Sequence, residues 1–189
     1  MLLHGSAIRP VPPFARVERR VLEELERELG RDDPEARAEL DRAFARFERT
    51  QPHLAARIAA VLAGPLEEPA LALGYFLSIV VWLAFERSLG ARLGEVDAEA
   101  LLATVASVLV DEELHAERSQ PFEPGALLDG AQPGVSSFVR EHVGVALAAL
   151  AAQSIDPHGV HQVHRAVVEL TLALSHAVAP SGNLDLKAH

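Results

Sequence analysis

The chain has 189 residues, of which 49% are apolar and 23% charged, the size and composition of one soluble globular domain. It contains no cysteine, which excludes disulfides, thiol catalysis, iron–sulfur clusters and cysteine-ligated zinc. Its formal net charge of −10 opposes the charge of a phosphate backbone, so nucleic acid is not an expected partner.

Apolar residues recur at helical spacing along the whole chain, and no segment alternates as a half-buried strand would. We therefore predict an all-α protein in which residues 1–189 form one domain. The expected architecture is an antiparallel bundle of five or six helices around an all-apolar central helix. The first residues lack an apolar stretch of signal-peptide length, which indicates a cytoplasmic protein.

Residues 1–13 are expected to form an extended arm before the first amphipathic helix, which ends at Gly30. Asp33 and Pro34 have the residue types of a helix cap and a first helical position. The apolar seam of this second helix continues to Val61, but Gln51 fills one seam position and Pro52 follows it. This pattern predicts a kink or a break.

The apolar helix covers residues 69–85, which carry no charge. Seventeen residues lie at the lower edge of a membrane span, and the flanking charges show no basic bias to one side. We therefore expect a buried helix and no membrane. Because such a helix needs cover on all sides, we expect a homo-oligomer or a protein partner. Tyr75 and Trp82 lie within it, where they either line an apolar ligand pocket or fill the core.

Three further helices complete the chain. The first is capped by Asp97 and ends near Ser119, and a long loop over residues 120–135 follows it. The second runs from Ser136 or Ser137 to Gln153. The last begins at Asp156–Pro157 and ends at Ala179–Pro180. Residues 180–189 are expected to be a frayed tail.

The helix that begins after Asp97 ends in charged residues. Leu101, Val105 and Val108 recur in steps of four and three, and the same steps lead to Glu112 and His115. Both side chains are therefore predicted to point inward, one turn apart. Glu-x-x-His at inward positions resembles half of the ferritin-like di-metal pattern, in which two helices each give this motif and two others each give a glutamate. Here the motif occurs once.

His142 shares a face with Phe138 and is the third candidate ligand, so Glu112, His115 and His142 could hold iron, manganese or zinc. The alternative is structural: Glu112 and His115 satisfy each other or an arginine such as Arg57. Glu169 lies opposite the valine face of the last helix and is expected to be exposed to solvent.

The last helix begins with histidines at every third position. His161 and His164 share a flank and either bind a transition metal or form a solvated first turn. Three hypotheses of function follow. The protein is a non-catalytic interaction or self-assembly module, a metal-dependent helical-bundle enzyme or metal-binding protein, or a carrier of a small apolar ligand.

Overall fold

The computed structural model describes residues 8–31, 33–117 and 123–181. In these residues the protein is all-helical and has no strand, which confirms the predicted fold class. The α-helices are α1 (Arg19–Leu29), α2 (Pro34–Thr50), α3 (Pro52–Leu62), α4 (Glu68–Leu89), α5 (Ala98–Glu117), α6 (Ala126–Asp129), α7 (Pro133–Ala152) and α8 (His158–His176). Pro13–Ala15 and Gly90–Arg92 form single 3-10 turns.

Eight α-helices in the described residues exceed the five or six expected. One reason is the break at Gln51, which makes α2 and α3 separate helices. The other is the predicted loop 120–135, where α6 and the first turn of α7 lie. Residues 118–122 of that loop, residues 1–7 of the arm and residues 182–189 of the tail lie outside the described residues.

Two glutamine–proline pairs form corners with the same backbone conformation. Gln51 has φ −138° and ψ 58°, and Gln132 has φ −135° and ψ 64°. Each is buried and precedes a proline at the first position of a helix. The amide of Gln51 donates to the carbonyl oxygen of Gly94 and accepts from the N–H of Val96, both at 2.9 Å. It therefore fixes the chain between α4 and α5.

Gln132 acts in the same way at the other corner. Its Oε1 accepts from the backbone N–H of Val17 at 2.9 Å. Its Nε2 donates to the carbonyl oxygen of Ala15 at 2.6 Å and to Oγ of Ser175 at 2.9 Å. This buried amide therefore fastens the segment before α1 to α8.

Helices α4 and α8 are the most extensively buried, with 13 residues each, and they contact each other more than any other pair of helices does. Every residue from 166 to 175 of α8 is buried. Each of the two helices covers apolar surface that the other would otherwise expose to water.

The expected antiparallel arrangement does not hold for α4 and α8, which run in the same direction. In their first turns the space beside Gly159 is filled by Ala70. Beyond their last residues, Leu93 and Val178 form an isolated antiparallel β-bridge. Helix α5 does run antiparallel to α8: Ala100 near its start lies in one cleft with Ala177, and Glu112 near its end reaches Arg165.

Candidate interaction surface and cleft on helix α5

Helix α5 buries only three of its 20 residues, Leu101, Val108 and Asp111. Asp97 caps its first turn as predicted, because Oδ1 accepts from the N–H of Ala100 at 2.7 Å. The helix packs mainly on α8 and touches α3. Its opposite side has no cover in the part of the chain that the structure describes.

The uncovered side is apolar. Leu102, Leu109 and Val110 are 69%, 42% and 44% exposed. Ala103 and Ala106 are also exposed, and at about 100° per residue all five side chains project from one face. We call these five residues the α5 outer face. Single exposed leucines are common, whereas three large apolar side chains within nine residues of one helix form a patch.

Glutamates flank the α5 outer face at both ends. Glu99 precedes it and Glu113 and Glu117 follow it, all three exposed. The face is therefore an apolar patch between acidic ends, and any second surface laid on it meets negative charge at its edge.

The prediction that Glu112 points inward is wrong. Its side chain is 41% exposed, and Oε2 lies 2.8 Å from Nη1 of Arg165 in an ion pair. The buried carboxylate of this helix is Asp111. His115 turns to that residue, with Nδ1 at 2.7 Å from the Asp111 carbonyl oxygen and 3.7 Å from Oδ2.

The prediction that Glu169 is exposed is also wrong, because it is 0% exposed. Nε and Nη2 of Arg57 donate to Oε2 of Glu169 at 3.1 and 2.9 Å. Nε of Arg165 lies 3.4 Å from Oε1 without the geometry of a hydrogen bond. Glu112, Arg165, Glu169 and Arg57 thus form a row of alternating charges that joins α5, α8 and α3.

His142 is mostly buried, but its partners are on α1 and within α7. Its Nε2 lies 2.8 Å from Oε1 of Glu26, and its Nδ1 lies 2.9 Å from the carbonyl oxygen of Phe138. The ring also packs against Phe138 and Phe76. The contacts join α1 to α7 and do not bring His142 to Glu112 or His115.

His161 and His164 differ in burial although they share a flank. His161 is exposed, and His164 packs under Gly125 with no hydrogen-bond partner for Nε2 in the described residues. Burial, together with the positive charges of His161 and Arg140, lowers the pKa of His164 to about 4. His164 is therefore a neutral, packed imidazole near neutral pH.

Tyr75 and Trp82 do not meet in one pocket. Tyr75 is 45% exposed and packs edge-on against Phe44. Trp82 is buried against Phe47, with the guanidinium of Arg46 over its ring. Trp82 therefore fills the core, the second of the two roles considered for it.

Within the described ranges, no three His, Asp or Glu side chains come together as a metal-binding group. Glu112, His115 and His142 have the separate partners given above, and His161 and His164 stand as a pair. Binding of iron, manganese or zinc stays a prediction from the sequence without a cluster to support it.

A cavity of about 250 Å³ lies between α5 and α8, where residues 8 and 9 cross them. Its apolar lining includes Val96, Ala100, Ala103, Ala173 and Ala177. We call this cavity the α5–α8 cleft. Pockets for small organic ligands start at about 300 Å³, so the cleft suits a molecule of a few non-hydrogen atoms.

The polar lining of the cleft is rich in hydrogen-bond acceptors. Glu95 and Asp97 line it and form no ion pair within the described part of the chain. The hydroxyls of Thr104 and Ser107 already donate to the carbonyls of Ala100 and Ala103, at 3.0 and 2.8 Å. Their oxygens are therefore left as acceptors.

His176 and Arg9 complete the lining. Nε2 of His176 lies 3.0 Å from the carbonyl oxygen of Arg9, which holds the segment before α1 against α8. Burial lowers the pKa of His176, although the Arg9 carbonyl opposes the shift. The lining of the cleft therefore contains one guanidinium, that of Arg9, and two carboxylates.

The charges around a second cavity are already paired. This cavity of about 350 Å³ lies between α1, α2 and α4. Its lining contains the ion pairs Arg87–Glu28 and Arg46–Glu86, at 2.6 and 2.9 Å. The α5–α8 cleft differs because, in the described part of the chain, its carboxylates Glu95 and Asp97 form no ion pair with an arginine.

Sequence reasoning missed both surfaces of α5. A signal was present, since Leu102, Leu109 and Val110 fall off the seam formed by Leu101, Val105 and Val108. Apolar residues on both sides of one helix indicate either full burial or a second contact. The cleft had no such signal, because its walls come from residues 8–9, 95–107 and 173–177, which are far apart in the sequence.

Two helices are long and apolar enough to cross a membrane, α4 with its following turn (Glu68–Arg92) and α7 (Pro133–Ala152). In the first, 67% of the most apolar stretch is already buried within the protein, and in the second 39%. The core helix of a soluble protein gives the same signal.

No protein-family model, no curated protein and no solved structure matches this chain.

Proposed function

We propose that this protein is a non-catalytic, cytoplasmic helical module that self-associates through the α5 outer face. The observation that supports the proposal is the exposure of Leu102, Leu109 and Val110 on a helix that buries only three residues. Burial of apolar area contributes about 25 cal/mol per Å², so covering this face favours association.

A second copy fits the face because the face complements itself. Two α5 helices packed antiparallel about a two-fold axis near Ala106 place Leu102 opposite Val110 of the other copy. They also place Leu109 opposite Ala103. A large side chain then meets a smaller one, and the small Ala106 allows the helices to approach closely.

The same packing places Glu99 opposite Glu113 of the other copy. Like charges at the edge of an interface oppose association, and dissolved salt weakens this repulsion, with a Debye length of about 10 Å at an ionic strength of about 0.1 M. Association should therefore strengthen as salt is added, contrary to an interface that is held by ion pairs.

Analytical ultracentrifugation at low and high salt tests the proposal. We expect a concentration-dependent dimer or larger oligomer at micromolar concentration, stronger in high salt. Leu102→Ser combined with Leu109→Ser should leave a monomer, whereas Val145→Ser removes an equally exposed side chain of α7 and should change nothing. A monomer at both salt concentrations, or dissociation by Val145→Ser alone, would contradict the proposal.

The protein is proposed to act away from membranes and nucleic acid. Its net charge of −10 repels phosphate, and the apolar residues of α4 are taken up by α8 and its other neighbours. We regard the architecture as a bundle built around α4 and α8 together.

A small-ligand carrier is the second candidate, and it depends on the α5–α8 cleft. Neither Tyr75 nor Trp82 lines that cleft, so the support for a carrier comes from the residues that line the cleft and not from these two aromatic residues.

A further inference from the structure

We propose that the α5–α8 cleft binds a small organic cation, a primary ammonium or guanidinium group on a short aliphatic chain. The proposal concerns the side of α5 that faces α8, which has only Ala103 in common with the α5 outer face, and it does not depend on self-association.

The hydrogen-bonding character of the lining selects the polar group of the ligand. Within the described residues Glu95 and Asp97 offer carboxylate oxygens that no ion pair engages, and Thr104 and Ser107 offer hydroxyl oxygens whose protons are already engaged. A ligand that complements four acceptors must be a donor. A carboxylate or phosphate ligand would instead meet two uncompensated negative charges and one guanidinium, that of Arg9.

The remaining lining selects the body of the ligand. Val96, Ala100, Ala103, Ala173 and Ala177 present only methyl and methylene groups. Ala173 is buried in α8 and forms part of the inner wall of the cleft. A volume of about 250 Å³ admits a short chain but no bulky ring system.

The cap of α5 places one of the two carboxylates. Asp97 accepts from the N–H of Ala100 through Oδ1, which orients the carboxylate and leaves Oδ2 for a ligand. A charge-assisted hydrogen bond to this oxygen is stronger than a neutral one, so a cation gains more here than an alcohol of the same shape.

The full chain is to be titrated with n-butylammonium chloride, with 1-butanol and sodium butyrate as comparison compounds of the same length. Amide chemical shifts in nitrogen-15 NMR spectra report where each compound binds. We expect n-butylammonium to bind with a millimolar Kd and to shift the amides of residues 95–107 and 173–177. Butanol and butyrate should bind at least about tenfold more weakly. Equal binding of butanol would show a merely apolar cavity and would overturn the proposal.

Two variants keep the test independent of folding. Asp97→Asn combined with Glu95→Gln removes both charges but keeps a good helix cap, and it should weaken n-butylammonium at least about tenfold. Ala100→Leu fills the cleft from an exposed helical position and should abolish binding, with the circular dichroism spectrum unchanged. Undiminished binding by either folded variant would place the cation elsewhere and reject the proposal. Failure of self-association in the ultracentrifuge would leave this result untouched.

Discussion

Glu169 carries a carboxylate in a stretch of α8 that is buried on every side. Arg57 donates two hydrogen bonds to one of its oxygens, and within the described residues the other oxygen has no hydrogen bond. Without Arg57 the carboxylate would keep only Arg165, whose Nε lies 3.4 Å from Oε1 without the geometry of a hydrogen bond, and a buried carboxylate that loses its hydrogen-bonding cation is strongly destabilising.

Arg57→Ala should therefore lower the free energy of unfolding by about 3 kcal/mol, as measured by urea denaturation. Arg87→Ala is the matched control: Arg87 also donates two hydrogen bonds to a carboxylate, that of Glu28, but both side chains are about half exposed. Loss of the exposed Arg87–Glu28 pair should lower the free energy of unfolding by less than about 1 kcal/mol. Equal losses in the two variants would show that burial of Glu169 adds nothing to the pair.

His164 gives the stability of the protein a predictable dependence on pH. In the folded protein its pKa is about 4, against 6.5 for an unperturbed histidine. As pH falls from about 6.5 to 4, the unfolded chain binds a proton that the folded chain does not, so stability falls. The loss amounts to about 3 kcal/mol and is complete below the folded pKa.

Urea denaturation between pH 4 and 7 measures this effect. His164→Leu should flatten the profile over that range, leaving the smaller contribution of His176, whose pKa is lowered too. The exposed His53 is the control, and His53→Leu should leave the slope as in the parent protein. An unchanged slope in His164→Leu would assign the pH dependence to other groups.

The errors at Glu112 and Glu169 have different physical origins. At about 100° per residue Glu112 lies only about 20° from Leu101, but the side of α5 that the protein buries is displaced toward Val108 and Asp111, so Glu112 lies at its edge and reaches Arg165. For Glu169 the angle was correct, because it does lie opposite the valines. What the sequence could not supply is that α3 and α5 cover that side of α8 as well.

At the scale of elements, caps and breaks were predictable because they depend on a few neighbouring residues. Asp33 accepts from Ala36 at 2.8 Å, and Pro52 begins α3 where the break was expected. The role of Gln51 was not predictable, since its amide bonds to Gly94 and Val96, more than 40 residues away. Local signals locate helix ends, whereas long-range contacts decide how helices pack.

The buried glutamine corners should contribute more to stability than an exposed glutamine does. Gln132→Ala leaves the N–H of Val17 and the carbonyl oxygen of Ala15 buried without their partner, which should cost about 3 kcal/mol of unfolding free energy. The exposed Gln153, whose amide lies near the carbonyl of Ala149, should tolerate alanine within about 0.5 kcal/mol. Similar urea midpoints for both variants would mean that water replaces the Gln132 amide.

At the scale of the whole molecule, the parallel direction of α4 and α8 is testable because the chain has no cysteine of its own. Leu93 and Val178 face each other in the β-bridge, and facing residues of this kind have the Cα separation of a disulfide. Leu93→Cys with Val178→Cys should oxidise within one chain and stabilise it by about 4 kcal/mol.

Leu66→Cys with Val178→Cys is the control for that experiment. Leu66 lies beside Gly159, at the other end of the helix pair, so its thiol cannot reach residue 178. Mass spectrometry and electrophoresis without reductant distinguish the linked from the open chain. A disulfide in the control, or none in the test variant, would contradict the parallel arrangement.

The parallel pair also determines when the protein can fold during its synthesis. Helix α4 leaves the ribosome first, and residues 90–157 must follow before α8 begins. At 5–20 residues per second this takes on the order of ten seconds. Throughout that time the most apolar helix of the chain lacks its largest partner, and the apolar surface that it exposes favours aggregation. Because the closing contact joins distant parts of the chain, folding should be slower than in bundles whose neighbouring helices pair.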